Sequence, residues 1–475
     1  MTKKTNFGAF TTLITIFFFW GFVAASNDIL IPVFKKALVL SQFESQLISL
    51  AFYIAYTVGS LMYFAISSLL KKDILNTIGY RNGLSLGLII SALGTLLFIP
   101  ASNNESFPFL IIGLFIVGLG FSLQQIAANP LAIQMGDPSK GNMRLSLAGG
   151  INNVGTTIGP VLVSFAIFGG LSSGETTLNL QAVQTPYLIL GAAFLIAAIF
   201  FKFSSVPDRL TESNHNSGGS ILETLKYPQV ILGMIAIFVY VGVEVSTASN
   251  LPEFMKQKLG TEESGVAPYV SLFWASLMIG RWTSAAGAFN ISDKLKSLLG
   301  FVLPFVAFGI FLFVNSIAGN SMEQFYPYLG IVVLLIIADK FSKGNPVNQV
   351  VIYSAVGILA LIVGIFSSGM ISVFAFISVG LFCSTLWPCI FTLGIAGLGE
   401  KTNTGSSLLI MMIMGGGFIS ALQGALANDD LLGIQHSYWV GVICFGYLLY
   451  FALDVSKKLK KQGVDFKSNP EISGH

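Results

Sequence analysis

Apolar residues gather in blocks of about 20 or more positions that recur from one end of the chain to the other, separated by short polar connections. About twenty apolar residues in a helix is the length needed to cross the hydrocarbon of a bilayer. The blocks predict fourteen spans, at about 8–37, 45–70, 80–99, 107–135, 144–169, 186–204, 228–254, 266–289, 296–317, 324–341, 348–367, 370–398, 404–427 and 436–456. Glycine is frequent inside them, with 50 in the chain. Small residues suit helices that must pack closely where lipid removes the hydrophobic drive between them.

Composition turns the pattern into a class. Of 475 residues, 54% are hydrophobic and 10% are charged, and mean hydropathy is +0.78. A water-soluble chain so poor in charge could not cover its surface with polar groups. The expected fold class is therefore an all-α polytopic membrane protein, with the lipid bilayer as its main partner and no nucleic acid. Cys383, Cys389 and Cys444 all lie in apolar blocks, which suggests neither a disulfide framework nor a metal site. The first block is long, carries Asp28 and has no small-residue cleavage site at its end, so it is read as a retained span.

Charge sets the orientation. With an even number of spans, both termini share one side. If that side is cytoplasmic, twenty of the 25 basic residues lie inside, four (Lys35, Lys36, Lys256, Lys258) lie outside, and Arg281 sits within a span. Such a bias toward inside positive charge is the expected topology signal. It predicts a multi-pass plasma-membrane protein, in a bacterium the inner membrane, with both termini cytoplasmic.

The longest polar stretch between spans, 205–227, follows six spans and reads as a linker between a bundle at 1–204 and a second at 228–475. The halves echo each other. LQQIAANPLAIQMG around Pro130 resembles STLWPCIFTLGIAGLG around Pro388, and each precedes a Gly-rich helix. WGFVAASND with Gly21 is echoed by VGVEVSTASN with Gly242. The proline pair is 258 residues apart and the glycine pair 221, a mismatch of 37 that matches two extra spans at about 296–341. The expected architecture is a duplicated six-plus-six core with an inserted two-helix hairpin at the periphery, outside the cavity. Internal repeats of this kind mark secondary transporters.

A charge at the bilayer centre costs about 2.5–3.5 kcal/mol even on lenient scales, so each one needs a reason. Asp28 lies deep in the first span on a face with Gly21 and Ala24. A carboxylate in low dielectric holds its proton more tightly, as proton loading and unloading require; a structural carboxylate is the competing reading. Glu244 is a second candidate acid, or else a partner that neutralises Arg281. A rise of about 1.5 Å per residue puts Glu244 about 24 Å and Arg281 about 12 Å above their cytoplasmic span ends, which disfavours a direct pair. Ser122, Gln125 and Asn129 form one helical stripe, and Gly149, Asn152 and Thr156 another, with Asn153 beside it. Amides and hydroxyls both donate and accept, which suits a polyhydroxylated ligand; bonding between helices is the competing use. Trp20, Trp274 and Trp387 lie within spans, where each can stack on a sugar face or simply pack.

Catalysis finds no support. His215, His436 and His475 fall in predicted loops or the tail, and no HExxH, Walker A or GxSxG pattern occurs in its required setting. Without an ATP-binding loop, pumping must draw on an ion gradient.

The segments FFFWGFVAASNDILIPVFK (17–35), LQQIAANP (123–130), LSLAGGINNVGTTIGP (145–160), FVYVGVEVS (238–246), SLMIGR (276–281) and TLWPCIFTLGIAGLG (385–399) resemble the fucose–galactose–glucose–proton symporter family of the major facilitator superfamily. The likeness covers nearly the whole chain except 296–341. It implies two six-helix bundles, a central sugar cavity and alternating access, with no cofactor. The family's NDIL aspartate, its proton site, matches Asp28. Gln125 stands where the fucose members carry glutamate, which is similar to the glucose/galactose branch. A fifth-helix asparagine matches Asn152, while a glutamine common three residues earlier is replaced by Gly149. The expectation is a monomeric hexose importer coupled to a proton, with Asp28 and Glu244 as cation-coupling candidates and Gln125, Asn129, Asn152, Asn153 and Trp387 as sugar-binding candidates. The alternatives are sodium coupling, fucose as substrate, or a membrane sugar receptor that does not transport.

Overall fold

The computed structural model describes residues 7–38, 42–70, 72–137, 140–168, 184–208, 221–261, 263–288, 291–317, 319–464 and 466. The side chains at 7, 24–37, 42–49, 160–168, 186, 263–265 and 267 lie outside the description. So the backbone of Asp28 is placed on a helix, but its side chain, and residues 209–220 of the expected linker, are not described.

The described residues are helical almost throughout. The helices are α1 (Phe7–Ala37), α2 (Gln42–Leu70), α3 (Tyr80–Leu96), α4 (Phe107–Gln134), α5 (Gly141–Phe168), α6 (Gln184–Lys202), α7 (Pro228–Leu259) and α8 (Glu263–Ala285). There follow α9 (Asp293–Ile317), α10 (Tyr328–Ser342), α11 (Pro346–Phe366), α12 (Gly369–Cys383), α13 (Leu386–Ile395), α14 (Thr402–Met411), α15 (Gly415–Leu426) and α16 (Trp439–Lys461). Among the described residues, ten helical stretches are long and apolar enough to cross a membrane, and Gly8–Val23 and Tyr187–Lys202 are shorter apolar helices.

Local chemistry explains several ends. α7 opens with Pro228, whose missing N–H is no loss in a first turn, and closes on Gly260 in the left-handed region, whose N–H bonds Lys256 O. α11 is capped by Asn345, which accepts from the N–H groups of Val347 and Asn348 ahead of Pro346. Two expected single spans are interrupted. The 370–398 span breaks between α12 and α13, and the 404–427 span tightens to a 3-10 turn at Met412–Met414 between α14 and α15. Pro388 causes the first break, because it has no N–H to offer the carbonyl of Ser384 and its ring crowds that group.

One set of pairings occurs twice. α1 packs on α5, α2 on α4, and α3 on α4 and α6. Later in the chain α7 packs on α15, α8 on α12, and α11 on α12 and α16. The close approaches recur too. A Cβ on Gly21 would collide with the backbone of Asn152 on α5, and a Cβ on Gly415 with the backbone of Phe238 on α7. The two sets meet where α5 packs on α8 and α2 on α14.

Helices α9 and α10 stand outside this scheme. They pack on α8, α11 and α12, held by Asn315 Nδ2 to Ser271 Oγ (3.2 Å), Tyr328 OH with Ser276 Oγ (2.8 Å) and Tyr269 OH to Gln324 Oε1 (2.9 Å). Of the ten apolar stretches, the one containing α9 is the least buried.

Candidate functional site

Two prolines organise the centre. Each removes one helical hydrogen bond and so frees the carbonyl four residues earlier. In α4 the carbonyl freed by Pro130 is that of Ile126, and the hydroxyl of Ser406 on α14 donates to it at 3.4 Å. In the α12–α13 pair the carbonyl freed by Pro388 is that of Ser384, and Arg281 Nε donates to it at 3.0 Å. The two echoing motifs thus supply acceptors for side chains on neighbouring helices.

Arg281, half-buried on α8, makes more of this position. Its Nη1 donates to Gly149 O at 3.1 Å and to Asn153 Oδ1 at 2.8 Å, both on α5. A Cβ on residue 149 would lie 3.0 Å from that nitrogen. Glycine at 149 therefore leaves the room that the guanidinium fills.

Glu244 accepts a short hydrogen bond from Tyr240 OH, one turn earlier on α7. Glu244 and Arg281 form no ion pair with each other among the described residues; the Arg281 guanidinium is bonded to Ser384 O, Gly149 O and Asn153 Oδ1. The Tyr240 ring lies 6.1 Å from Trp387, which stacks on Phe391 at 6.0 Å. Tyr240 thus links Glu244 on its own helix to Trp387 on α13.

The amide candidates lie on α4 and α5. Gln125 is half-buried on α4 and donates from Nε2 to Tyr56 OH at 3.1 Å. Asn152 is half-buried and donates to Phe17 O on α1 at 2.9 Å. Asn153 and Asn129 are buried, and the Nδ2 of each has no hydrogen-bond partner among the described residues. Such an orphaned donor carries a cost of about 1–3 kcal/mol, which a ligand or water oxygen would relieve.

Other polar and aromatic candidates make contacts within the protein. Ser122 is fully buried and bonds Tyr56 O on α2, and Thr156 bonds Asn153 O on its own helix. Trp20 is buried with Nε1 on Gln124 Oε1 at 2.8 Å, inside the first helix set. Trp274 is half-buried, edge-on to Phe273. Sequence reasoning missed Tyr56 and Tyr240. Only the spacing of four between Tyr240 and Glu244 hinted at either.

Further hydrogen bonds join the two helix sets toward one face. Asn403 at the start of α14 donates to Asp73 Oδ1 (3.1 Å) and Asn76 Oδ1 (3.2 Å) and accepts from Tyr80 OH, while Asn142 at the start of α5 donates to Gly344 O (3.2 Å) and Gln349 Oε1 (3.1 Å). These bonds hold the two sets together on the face that carries the 72–79 and 397–401 connections and the start of α5.

Residues 8–336 match the model of the Major Facilitator Superfamily. The chain belongs to that superfamily. It is 32% identical over 459 residues to the glucose/galactose transporter of Brucella abortus biovar 1 (strain 9-941), covering 96% of each chain. It is 30% identical over 466 residues to a putative glucose/galactose transporter of Helicobacter pylori (strain ATCC 700392 / 26695), covering 95% of this chain and 98% of the relative. The L-fucose-proton symporter of Escherichia coli (strain K12) is 27% identical, with 93% and 92% covered. In structure, the chain is similar to the superfamily transporter FucP in its outward conformation, with a TM-score of 0.72, 25% identity, and 94% and 98% of the two chains covered. The chain is thus a multi-pass membrane transporter of the family that holds the glucose/galactose transporters and fucose–proton symporters, and not an enzyme.

Proposed function

We propose that this transporter imports a hexose of the glucose/galactose type together with a proton, by alternating access. The observation that carries the reading is the 32% identity to a glucose/galactose transporter across 96% of both chains. Proton coupling follows the relatives that are named proton symporters. In this reading Asp28 is the site that loads the proton, with Glu244 as the second acid. Gln125, Asn129 and Asn152 on α4 and α5 take sugar hydroxyls, and Trp387 on α13 offers a ring. Asn153 joins α5 to α8 through its bond to Arg281.

The fourteen-span count, the bundles at 1–204 and 228–475 with a linker at 205–227, and the inserted hairpin at 296–341 belong to the same proposal. The recurrent pairings support it, since the second set matches the first once α9 and α10 are set aside. Inter-set bonds gathered on one face are what an outward-facing state requires, provided that face is cytoplasmic. Reporter fusions within 205–227 and after Lys461 both report the cytoplasm if the orientation is right; a disagreement between them rules out the even span count.

The decisive experiment is uptake of labelled glucose, galactose and fucose into proteoliposomes, with proton and sodium gradients imposed separately. Accumulation of glucose or galactose under a proton gradient alone is the expected result. Accumulation driven only by sodium, or sugar binding without uptake, overturns it.

A further inference from the structure

The inserted hairpin meets the rest of the molecule at a set of buried amides. α10 ends at Ser342, and the chain turns into α11 through Lys343 and Gly344, both in the left-handed region (φ 53° and 67°). Just before that turn α10 carries Asp339, which makes no ion pair among the described residues; its Oδ1 accepts from Gln349 Nε2 (3.1 Å) and Tyr353 OH (3.2 Å) on α11. Gln349 is fully buried. Its amide nitrogen also donates to Ser284 Oγ on α8 (2.8 Å), while its oxygen accepts from Cys389 Sγ on α13 (2.9 Å) and from Asn142 Nδ2 (3.1 Å). Both donors and both acceptor positions of this amide are therefore in use.

An amide side chain has one donating and one accepting end, and the wrong end toward Asn142 would set two NH2 groups against each other. Asp339 and Ser284 take the donating end, which turns the oxygen toward the other helix set. The same Asn142 nitrogen donates to Gly344 O in the turn that closes the hairpin, at 3.2 Å. The neighbouring Met143 packs so closely on that turn that a Cβ on Gly344 would collide with its terminal carbon.

We propose that the hairpin is a working part of the gate on this face: Asp339 orients Gln349, and the exit turn supplies Gly344 O, together forming the socket that seats Asn142 at the start of α5. The inference rests on the alternating-access reading. It gives the hairpin a role that its exposed position conceals. Asp339 is here a positioning residue, since it acts on the gate only through Gln349.

The test uses the full chain in nanodiscs, with spin labels on Lys202→Cys and Lys461→Cys at exposed ends of α6 and α16; the three native cysteines are buried and stay in place. The fraction of molecules in the longer-distance, open population is the readout. Asn142→Ala and Gln349→Ala should each raise it roughly 3- to 10-fold, as expected for one or two neutral hydrogen bonds. The double variant should raise it no further than the larger single one, because both act on one contact. Asp339→Ala should act in the same direction and add nothing to Gln349→Ala, while Asp339→Asn, which keeps an acceptor, should stay near wild type. Gly344→Ala pushes against Met143 and strains the left-handed turn that presents its carbonyl to Asn142, while replacing none of the buried amides, and should also open the face if Asp339→Ala does not fold. If Asn142→Ala opens the face but neither Asp339→Ala nor Gly344→Ala does, the hairpin has no part in the gate. A single distance in every variant, with and without glucose, would instead sink the alternating-access reading itself.

Discussion

Replacing Asn153 by alanine separates two roles that sequence alone leaves merged. Its Oδ1 accepts from Arg281 Nη1 at 2.8 Å across the junction of the two helix sets. A hydrogen bond to a charged donor contributes about 1.5–3 kcal/mol when buried. Asn153 is 3% exposed while Arg281 is half-buried, which favours the lower end. The substitution also removes an Nδ2 without a partner, and that offsets part of the loss. A net loss of about 1.4 kcal/mol is a tenfold change in an equilibrium constant. Arg281 stays anchored by Ser384 O within its own helix set, so the loss falls on the junction. The open population in the spin-label experiment should therefore rise about tenfold in Asn153→Ala. It should fall in Asn153→Asp, where a carboxylate strengthens the tie. An unchanged distance distribution with a tenfold rise in KM for sugar would refute the reasoning and make Asn153 a sugar ligand instead.

Gly149→Gln should displace the Arg281 guanidinium, since even a Cβ there lies 3.0 Å from Nη1; the open population should then rise as in Asn153→Ala, read with the same labels. Gln125→Ala should weaken sugar binding by roughly 0.5–3 kcal/mol for a lost buried hydrogen bond, seen in equilibrium binding, while accumulation driven by the gradient survives. Burial pushes the Asp73 carboxyl up from its ordinary value, against the hydrogen bonds from Asn76, Tyr63 and Asn403. The folded protein then holds that proton more tightly than the unfolded chain, so this contribution to stability is greatest below the unfolded value of about 3.9 and is lost as pH rises through the raised one. Thermal melts across that window should show wild-type stability falling with pH more steeply than in Asp73→Asn.

The sequence made the helices legible because lipid demands length and apolarity, and both are written directly in the residue order. The proposed repeat is read from Gly21 and Gly242, and from Pro130 and Pro388, because close packing and a broken ladder each require one residue type. What those residues do was not legible. That Pro388 frees a carbonyl for Arg281, and Pro130 one for Ser406, depends on which helix lies alongside. The polar stripe on α4 divides for the same reason. Ser122 and Gln125 both turn to α2 and Tyr56, while Asn129 keeps an unpartnered nitrogen. The 37-residue mismatch points to α9 and α10 as the proposed insertion, but the bonds of Asn142 to Gly344 O and Gln349 Oε1 are not singled out by any spacing.

The central claim is that Asp28 couples the ion to the sugar, and Asp28→Asn in proteoliposomes tests it most directly. Asparagine keeps the shape of the carboxylic acid and removes the titratable proton. A carrier held neutral can still alternate, so the variant should exchange labelled glucose or galactose across the membrane at a rate near that of wild type. It should no longer accumulate sugar under an imposed proton gradient, since no proton is linked to the cycle. Sugar binding, which must shift proton affinity by the same factor that protonation shifts sugar affinity, should lose its pH dependence. Full gradient-driven accumulation by Asp28→Asn would contradict the account and transfer the coupling role to Glu244.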